Sequence, residues 1–260
     1  MASLFEAYRP QSLEDVVGQS AAVKQIRTVL AARGWGGQAW WLTGPSGSGK
    51  TTLARIIARI GADPIAIEEL DSRRLTPAKV GEIVDSYVCR CLFGKGGKCF
   101  IVNEAHGLRK DTIQELLTAL EPDGGLPDHI VWCFTTTKAG ETKLFADDEA
   151  GDAGPLLSRC KPIELVYNTE AARAFARRAQ YIAQKEGIDG LPVSVYESAV
   201  TASQGNFRRV LQAIESGSFR ADAVANLERE YGFVKSTKGP AAEARRAELT
   251  AAIQSAKGGA

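Results

Sequence analysis

The chain has 260 residues, enough for one large domain or two modest domains with a buried core. Its 32 Lys and Arg residues nearly balance 31 Asp and Glu residues, which argues against polyanion binding by the whole surface but leaves room for a local basic face. Five scattered cysteines without CxxC pairs favour a reducing cytosol over a disulfide framework or a zinc site. Without a signal peptide or an apolar run of membrane-spanning length, the sequence predicts a cytoplasmic protein with no membrane partner.

From residue 1 to about residue 166, short apolar strands alternate with helical segments, as is typical of a parallel sheet covered by helices on both faces. The predicted strands lie at 39–43, 65–69, 99–103, 130–135 and 163–166. Thr76 and Pro77 predict a helix start, as N-cap and first helical residue. The residues predicted to face inward from this helix are Val80, Ile83, Val84 and Tyr87. A further helix is predicted to bury Ile113, Leu116, Leu117 and Leu120.

The pattern changes to helices alone from Asn168 onward. Helices are predicted at 170–186, after Pro192, and at 206–216. Residues 235–240 are typical of a linker, and the Ala-rich tail predicts at most one weakly amphipathic helix. The predicted domains are therefore a nucleotide-binding domain at 1–166, a helical lid at 167–231, and a linker with a short helical tail at 232–260.

An eight-residue motif follows the first predicted strand. Residues 44–51 read GPSGSGKT and match G-x-x-x-x-G-K-[ST], the phosphate-binding loop. A helix that ends at Gly61 follows, and its apolar stripe is formed by Leu53, Ile56, Ile57 and Ile60. Because strand, glycine loop and helix occur in the order that such a loop requires, the sequence predicts a site for a nucleoside triphosphate.

The residues of this loop have distinct expected roles. Its glycines let backbone N–H groups approach the β-phosphate, and the helix N-terminus adds a partial positive charge. Lys50 is expected to reach the β and γ oxygens, and the Thr51 hydroxyl is expected to coordinate Mg²⁺. The expected nucleotide contacts in the loop are Gly44, Pro45, Ser46, Gly47, Ser48, Gly49, Lys50, Thr51 and Thr52.

The predicted strand at 99–103 ends in polar residues, the form of the second motif of nucleotide sites. Glu104 is the candidate base that orients and activates the attacking water. Asn103 stands where Asp is usual; its amide can accept from a magnesium-bound water, but it removes a negative charge and so predicts weaker or altered Mg²⁺ binding. Alternatively, Asn103 and Glu104 only begin a loop. His106 is predicted to be a helix-entry residue rather than a catalytic one.

Three stretches carry a family resemblance. Residues 8–19, YRPQSLEDVVGQ, match the "YRP…F-D-(V/L)-(V/I)-G-Q" opening of one family, residues 157–160 (LSRC) contain its Ser-Arg-Cys motif, and residues 205–209 (GNFRR) match its "G-(D/N)-x-R-R" helix start. From Phe5 to about Ser216 the chain resembles the clamp-loader branch of the AAA+ ATPases, which includes replication factor C small subunits and the bacterial gamma/tau subunit.

The resemblance implies a fold and several residue roles. The implied fold is α/β, a P-loop AAA+ domain with a five-stranded parallel sheet flanked by helices, followed by a small all-α lid domain. Thr136 falls at the sensor 1 position, Arg208 at the sensor 2 position, and Arg159 would act in trans on the γ-phosphate of a neighbouring subunit. The residues implied to lie near the adenine ring are Tyr8, Arg9, Pro10, Val16 and Val17.

The resemblance also implies a function: an ATPase subunit, stimulated by DNA, that uses ATP and Mg²⁺ to open and place a sliding clamp on primer–template DNA. Its partners would be the clamp, the DNA and other loader subunits, of the same or a different kind, with a location at the nucleoid or replisome. DNA-contact candidates, which are otherwise ordinary solvated charges, are Arg73, Arg74, Lys79, Arg109 and Lys110. Clamp-contact candidates are Leu92, Phe93 and Tyr87, the last with core packing as an equal alternative.

Two other functions stay open. The chain could bind ATP as a structural switch that hydrolyses slowly because of Asn103, or it could be an AAA+ ATPase of DNA repair or branch migration. Residues 232–260 are too few for the third helical domain of the family, which is about the size of an independent domain. Either the chain is a truncated form or it assembles by another route.

Overall fold

The computed structural model describes residues 3–91, 94–121, 125–137, 154–188, 191–236 and 239–257. The strands are β1 (Gln38–Thr43), β2 (Ala62–Asp71), β3 (Gly97–Asn103), β4 (Ile130–Thr136) and β5 (Lys161–Glu164). The α-helices are α1 (Leu4–Ala7), α2 (Ser20–Arg33), α3 (Lys50–Gly61), α4 (Pro77–Asp85), α5 (Lys110–Leu120), α6 (Gly154–Arg159), α7 (Thr169–Lys185), α8 (Val193–Ala202), α9 (Phe207–Glu215), α10 (Ser218–Lys235) and α11 (Pro240–Lys257). None of the described helices combines the length and apolar composition that a membrane span requires.

The described residues form two compact units. The sheet unit runs from Pro10 to Val166, and the helical unit joins the described residues up to Arg9 to those from Tyr167 onward. The sequence placed residues 1–9 in the nucleotide-binding domain, whereas α1 packs on α9 in the helical unit. Helix α10 crosses the predicted boundary at 231, and α11 lies along α10, where Arg245 pairs with Glu230 at 2.7 Å.

The sheet is parallel and has the strand order β2-β3-β4-β1-β5. The central strands β1 and β4 are buried along their whole length, as expected for a sheet covered on both faces. Successive side chains alternate between the faces, so Trp40 packs with α3 on one side while Trp41 packs with α4 and α5 on the other. The five-stranded parallel sheet flanked by helices is therefore confirmed.

The register of the strands brings several polar residues to one edge of the sheet. Thr43 pairs with Thr136 between β1 and β4, and Asp71 pairs with Asn103 between β2 and β3. Because ligands bind beyond the carboxyl ends of parallel strands, this edge is where a site is expected.

Several details of the elements differ from the sequence prediction, including β2, which covers Ala62–Asp71 rather than 65–69. Ile60 was placed on the buried stripe of α3, but it is 41% exposed, so the stripe ends at Ile57. Strand β5 covers Lys161–Glu164 rather than 163–166. Beyond it, Gln19 Nε2 donates to the Val166 carbonyl oxygen at 2.9 Å, and Gln19 Oε1 accepts from the Val166 backbone N–H at 3.1 Å. A side chain thus replaces a strand neighbour at that point.

Candidate nucleotide-binding site

The loop between β1 and α3 depends on glycine at two positions. Gly44 has φ +145°, and a Cβ there would lie 2.5 Å from the carbonyl oxygen of Leu165. Gly49, with φ +105°, is the N-cap of α3. Residues that carry a side chain rarely adopt these backbone angles, so the loop can hold this shape only with glycine. The shape brings the loop backbone to the N-terminus of α3, where anions are favoured.

Two polar side chains of the loop fit a bound phosphate. Lys50 is buried, and its Nζ donates to the carbonyl oxygens of Gly44 at 2.9 Å and Pro45 at 2.8 Å, so its ammonium stays at the loop. The Ser48 hydroxyl is buried with no hydrogen-bond partner among the described residues. Leaving such a group unpaired costs about 1–3 kcal/mol, which a phosphate oxygen would offset.

The two residues expected at Mg²⁺ are in contact. Thr51, in the first turn of α3, donates its hydroxyl to Asn103 Oδ1 at the end of β3, over 3.0 Å. Thr135, near the end of β4, donates its hydroxyl to the same oxygen, also over 3.0 Å. Hydroxyl and amide oxygens are hard ligands of the kind that Mg²⁺ accepts directly or through water, so these residues fit the ion.

Glu104 has an unusual backbone conformation at the same edge. Its φ is +53°, in the left-handed region that residues other than glycine rarely occupy. His106 Nδ1 lies 3.4 Å from Glu104 Oε2 and 3.2 Å from the Thr136 hydroxyl. His106 therefore links the candidate base to the candidate sensor 1 residue, beyond the helix-entry role that the sequence suggested. Backbone strain of this kind is common where a side chain must be aimed at a ligand.

The residues expected near the adenine ring are divided between the two units. Pro10, Val16 and Val17 belong to the sheet unit and are half-buried, and Val16 packs against the core beneath α3. Tyr8 and Arg9 belong to the helical unit. The Tyr8 hydroxyl donates to Glu186, and this hydrogen bond raises the pKa of Tyr8.

Arg208 also lies in the helical unit, on the first turn of α9. The Asn206 side chain caps that helix by accepting from the Arg209 backbone N–H at 3.2 Å. The guanidinium of Arg208 lies 4.4 Å from the ring centre of Phe5 on α1, and so does the guanidinium of Arg9. The proposed sensor 2 residue is thus held by an aromatic contact within its own unit.

Arg159, the proposed trans-acting residue, is paired within its own chain. Its Nη2 lies 2.6 Å from Glu121 Oε2, just after α5, and its Nη1 donates to the Pro155 carbonyl at 2.9 Å. The Arg159 Nε is buried and has no acceptor among the residues that the structure describes. The Arg159 guanidinium is therefore oriented by Glu121 and Pro155, but these residues do not satisfy all of its N–H donors.

The DNA-contact candidates differ in how far their charge is compensated. Arg73, Arg74 and Lys110 are exposed. Lys79 pairs with Glu68 at 3.0 Å and with Glu82 at 3.4 Å, and its hydrogen bond to Glu68 raises its pKa. Arg109 lies 3.7 Å from Asp111. Lys79 and Arg109 would thus have to exchange an internal partner for a phosphate group.

Tyr87 is a core residue rather than an exposed clamp contact. Its side chain is 6% exposed, and its hydroxyl accepts a hydrogen bond from Trp132 Nε1 at 2.6 Å. The remaining clamp-contact candidates, Leu92 and Phe93, lie outside the described residues.

Three residues at these sites were missed by the sequence prediction. Glu69 on β2 accepts from the Asn103 side chain, Arg55 on α3 pairs with Glu69, and Glu121 pairs with Arg159. Each is an ordinary surface charge in the sequence, and only the register of the sheet or the packing of helices brings it to the site.

The sheet, the glycine loop and the polar residues at the strand ends define the class of P-loop nucleotide-binding proteins. A solved structure of the Thermotoga maritima RuvB Holliday junction branch migration motor matches with a TM-score of 0.60 at 23% identity, over 80% of this chain and 64% of that one. A second RuvB structure matches with a TM-score of 0.62 at 21% identity, over 95% of this chain and 73% of that one. The chain therefore shares with these structures a fold in which a five-stranded parallel sheet with a phosphate-binding loop is followed by a helical region.

Curated relatives narrow the class further, although no protein-family model matches the chain. The replication factor C large subunit of Methanoregula boonei is 29% identical over 213 residues, which are 80% of this chain and 40% of that protein. The DNA polymerase III subunit gamma of Buchnera aphidicola is 27% identical over 235 residues, 82% of this chain and 60% of that protein. The chain is thus homologous, at modest identity over most of its length, to AAA+ subunits of clamp loaders, and it spans 40% to 60% of the length of these relatives.

Proposed function

We propose that the chain is an ATPase subunit of a sliding-clamp loader, in which ATP binding and hydrolysis drive the placement of a clamp on primer–template DNA. The observation that carries the proposal is the cluster of Lys50, Thr51 and Asn103 at the carboxyl edge of the sheet, in a chain whose relatives are clamp-loader subunits. The clamp, DNA and other loader subunits are the partners that this function requires.

The expected chemistry uses residues of this chain and of a neighbouring subunit. Lys50 holds the β- and γ-phosphates, and Glu104 orients the attacking water at the point where His106 and Thr136 converge. Thr51 and Asn103 would hold Mg²⁺, directly or through water, and the ion would supply positive charge to the phosphate oxygens. Arg208 would report the γ-phosphate to the helical unit, and Arg159 of a neighbour would neutralise charge that develops during transfer; comparable fingers contribute roughly 10³–10⁵-fold in rate.

One observation favours a second function, an ATP-binding switch with slow turnover. Asn103 is neutral where an aspartate would place a negative charge beside Mg²⁺, and Mg²⁺ binds oxygen ligands more tightly when they carry charge. In that case, the chain would bind ATP tightly, order its neighbours and supply Arg159 to their sites. The likeness to RuvB concerns the fold alone and does not favour branch migration.

The test is steady-state ATP hydrolysis by the purified chain, with and without primer–template DNA and a sliding clamp, together with equilibrium ATP binding. Lys50→Ala should abolish turnover, whereas Lys24→Ala, which removes an exposed lysine of α2, should not. Turnover that rises with DNA and disappears in Arg159→Ala supports a loader that completes its sites in trans. Native turnover by Lys50→Ala would refute the assignment of the site, and tight binding without turnover would favour the switch.

A further inference from the structure

The two ends of the Asn103 side-chain amide form hydrogen bonds with different partners. Its Oδ1 accepts from the hydroxyls of Thr51 and Thr135, each at 3.0 Å, whereas its Nδ2 donates to Glu69 Oε1 at 2.7 Å. These partners come from α3, β4 and β2, so the amide lies where three elements meet. The oxygen therefore faces Thr51, the residue expected to coordinate Mg²⁺.

Glu69 is the partner that decides this orientation. Hydroxyls can donate or accept, so Thr51 and Thr135 would tolerate either end of the amide. An ionised carboxylate only accepts, so Glu69 requires the Nδ2 end. With the amide turned round, Oδ1 would lie against a carboxylate oxygen with no proton between them, while Nδ2 would face the cation site.

Glu69 is itself fixed by the helix that carries Thr51. Arg55 Nε lies 2.7 Å from Glu69 Oε2, and Arg55 Nη2 lies 3.2 Å from Oε1. A paired guanidinium of this kind restrains a carboxylate in the plane as well as in distance. Thr51 and Arg55 are four residues apart and share one face of α3. The contacts from Thr51 through Asn103 and Glu69 to Arg55 therefore return to the helix where they began.

We propose that Glu69 is a positioning residue for Mg²⁺: its carboxylate keeps the Oδ1 atom of Asn103 directed at the cation. The inference rests on the proposed nucleotide site. An aspartate at position 103 would present an oxygen in either orientation and would need no such partner. An asparagine needs one, because its NH₂ end would repel the cation.

The proposal predicts that the contribution of Glu69 changes sign with the residue at position 103. Beside Asn103, Glu69 strengthens Mg²⁺ binding by fixing the amide. Beside an aspartate, its carboxylate would lie within hydrogen-bonding distance of a second carboxylate, and the two like charges would push each other away from this geometry. The Asn103→Asp substitution alone is thus expected to strengthen Mg²⁺ binding only slightly. The larger increase in Mg²⁺ binding should appear when Glu69→Gln is added.

The experiment measures ATP affinity in excess EDTA and in saturating Mg²⁺ for each variant. The affinity in Mg²⁺ divided by the affinity in EDTA gives the contribution of the ion. Glu69→Met removes the acceptor at similar length and should lower this ratio by about tenfold, the scale on which partners of metal ligands act. Glu69→Gln, whose Oε1 can still accept from Asn103, should keep most of the ratio. The matched control is Glu68→Met, which makes the same change one position earlier on β2.

Each outcome separates the inference from the proposed function. A fall of the ratio in Glu69→Met but not in Glu68→Met supports the inference, as does a rise when Glu69→Gln is added to Asn103→Asp. An equal fall in both Met variants, an unchanged ratio in Glu69→Met, or no rise in the double variant overturns it. If native protein does not bind ATP in either condition, or Lys50→Ala binds as well as native protein does, then the nucleotide site itself is wrong.

Discussion

The ion pair between Arg159 and Glu121 makes a prediction about the neighbouring active site. If Arg159 acts in trans, it must exchange some of its contacts with Glu121 for the γ-phosphate of the next subunit. Replacing Glu121 by Gln removes the charge that attracts Arg159 but keeps the size of the side chain. We therefore expect Glu121→Gln to raise ATP turnover in the assembled protein.

The geometry bounds the size of this effect. The pair is short, at 2.6 Å, but Glu121 is 59% exposed and Arg159 is 25% exposed, so water and salt screen it. Exposed pairs contribute about 0.2–1 kcal/mol, and about 1 kcal/mol corresponds to roughly fivefold in an equilibrium. Turnover should thus rise by up to about fivefold, and the gain should shrink as ionic strength increases.

The assay is ATP hydrolysis against protein concentration, with DNA present, for native protein, Glu121→Gln and the control Glu115→Gln. The control removes an exposed carboxylate of α5, close to Glu121 in the chain, so it tests the general loss of negative charge near that helix. A loss of turnover in Glu121→Gln as deep as that in Arg159→Ala would refute the reasoning, because Glu121 would then be needed for the trans contact itself.

Two further predictions concern stability. Burial, opposed slightly by the indole donor of Trp132, raises the pKa of Tyr87 to about 12. The free energy of unfolding therefore falls by about 3 kcal/mol between roughly pH 10 and 12. Tyr87→Phe should remove that fall in urea titrations, while costing about 1–3 kcal/mol at pH 7, where the Trp132 N–H is left unpaired. A Cβ on Gly97 would lie 2.3 Å from the ring of Trp35, whereas one on Gly81 meets no atom within 4 Å. Thermal unfolding should thus show Gly97→Ala destabilised by about 1–3 kcal/mol and Gly81→Ala stabilised by up to about 1 kcal/mol; equal effects would contradict the packing at Gly97.

The strands and the phosphate loop could be predicted because their signals are local. Residues 39–42 of the strand before the loop are all apolar, and the glycines, Lys50 and Thr51 follow in a fixed spacing. The capped start of α4 was equally local, since Thr76 accepts from the Lys79 backbone N–H at 3.2 Å, as a Thr-Pro pair predicts.

Other features could not be predicted, because they depend on contacts between distant residues. Ile60 fits the stripe of α3 by spacing, yet the helix ends one residue later and leaves it exposed. The grouping of α1 with α9 rests on tertiary contacts that no local pattern records.

The role of Asn103 is the clearest example of a feature that the sequence alone does not predict. From the motif alone, an asparagine in place of the usual aspartate indicates weaker Mg²⁺ binding. In the structure, Glu69, 34 residues earlier in the chain, reaches the same amide because β2 and β3 are neighbouring strands. The oxygen that an aspartate would supply is then present in the expected direction, and what differs is one negative charge beside the cation. The choice between a working ATPase and a slow switch thus depends on charge rather than on geometry, and a Mg²⁺ titration of native protein against Asn103→Asp with Glu69→Gln measures that difference directly.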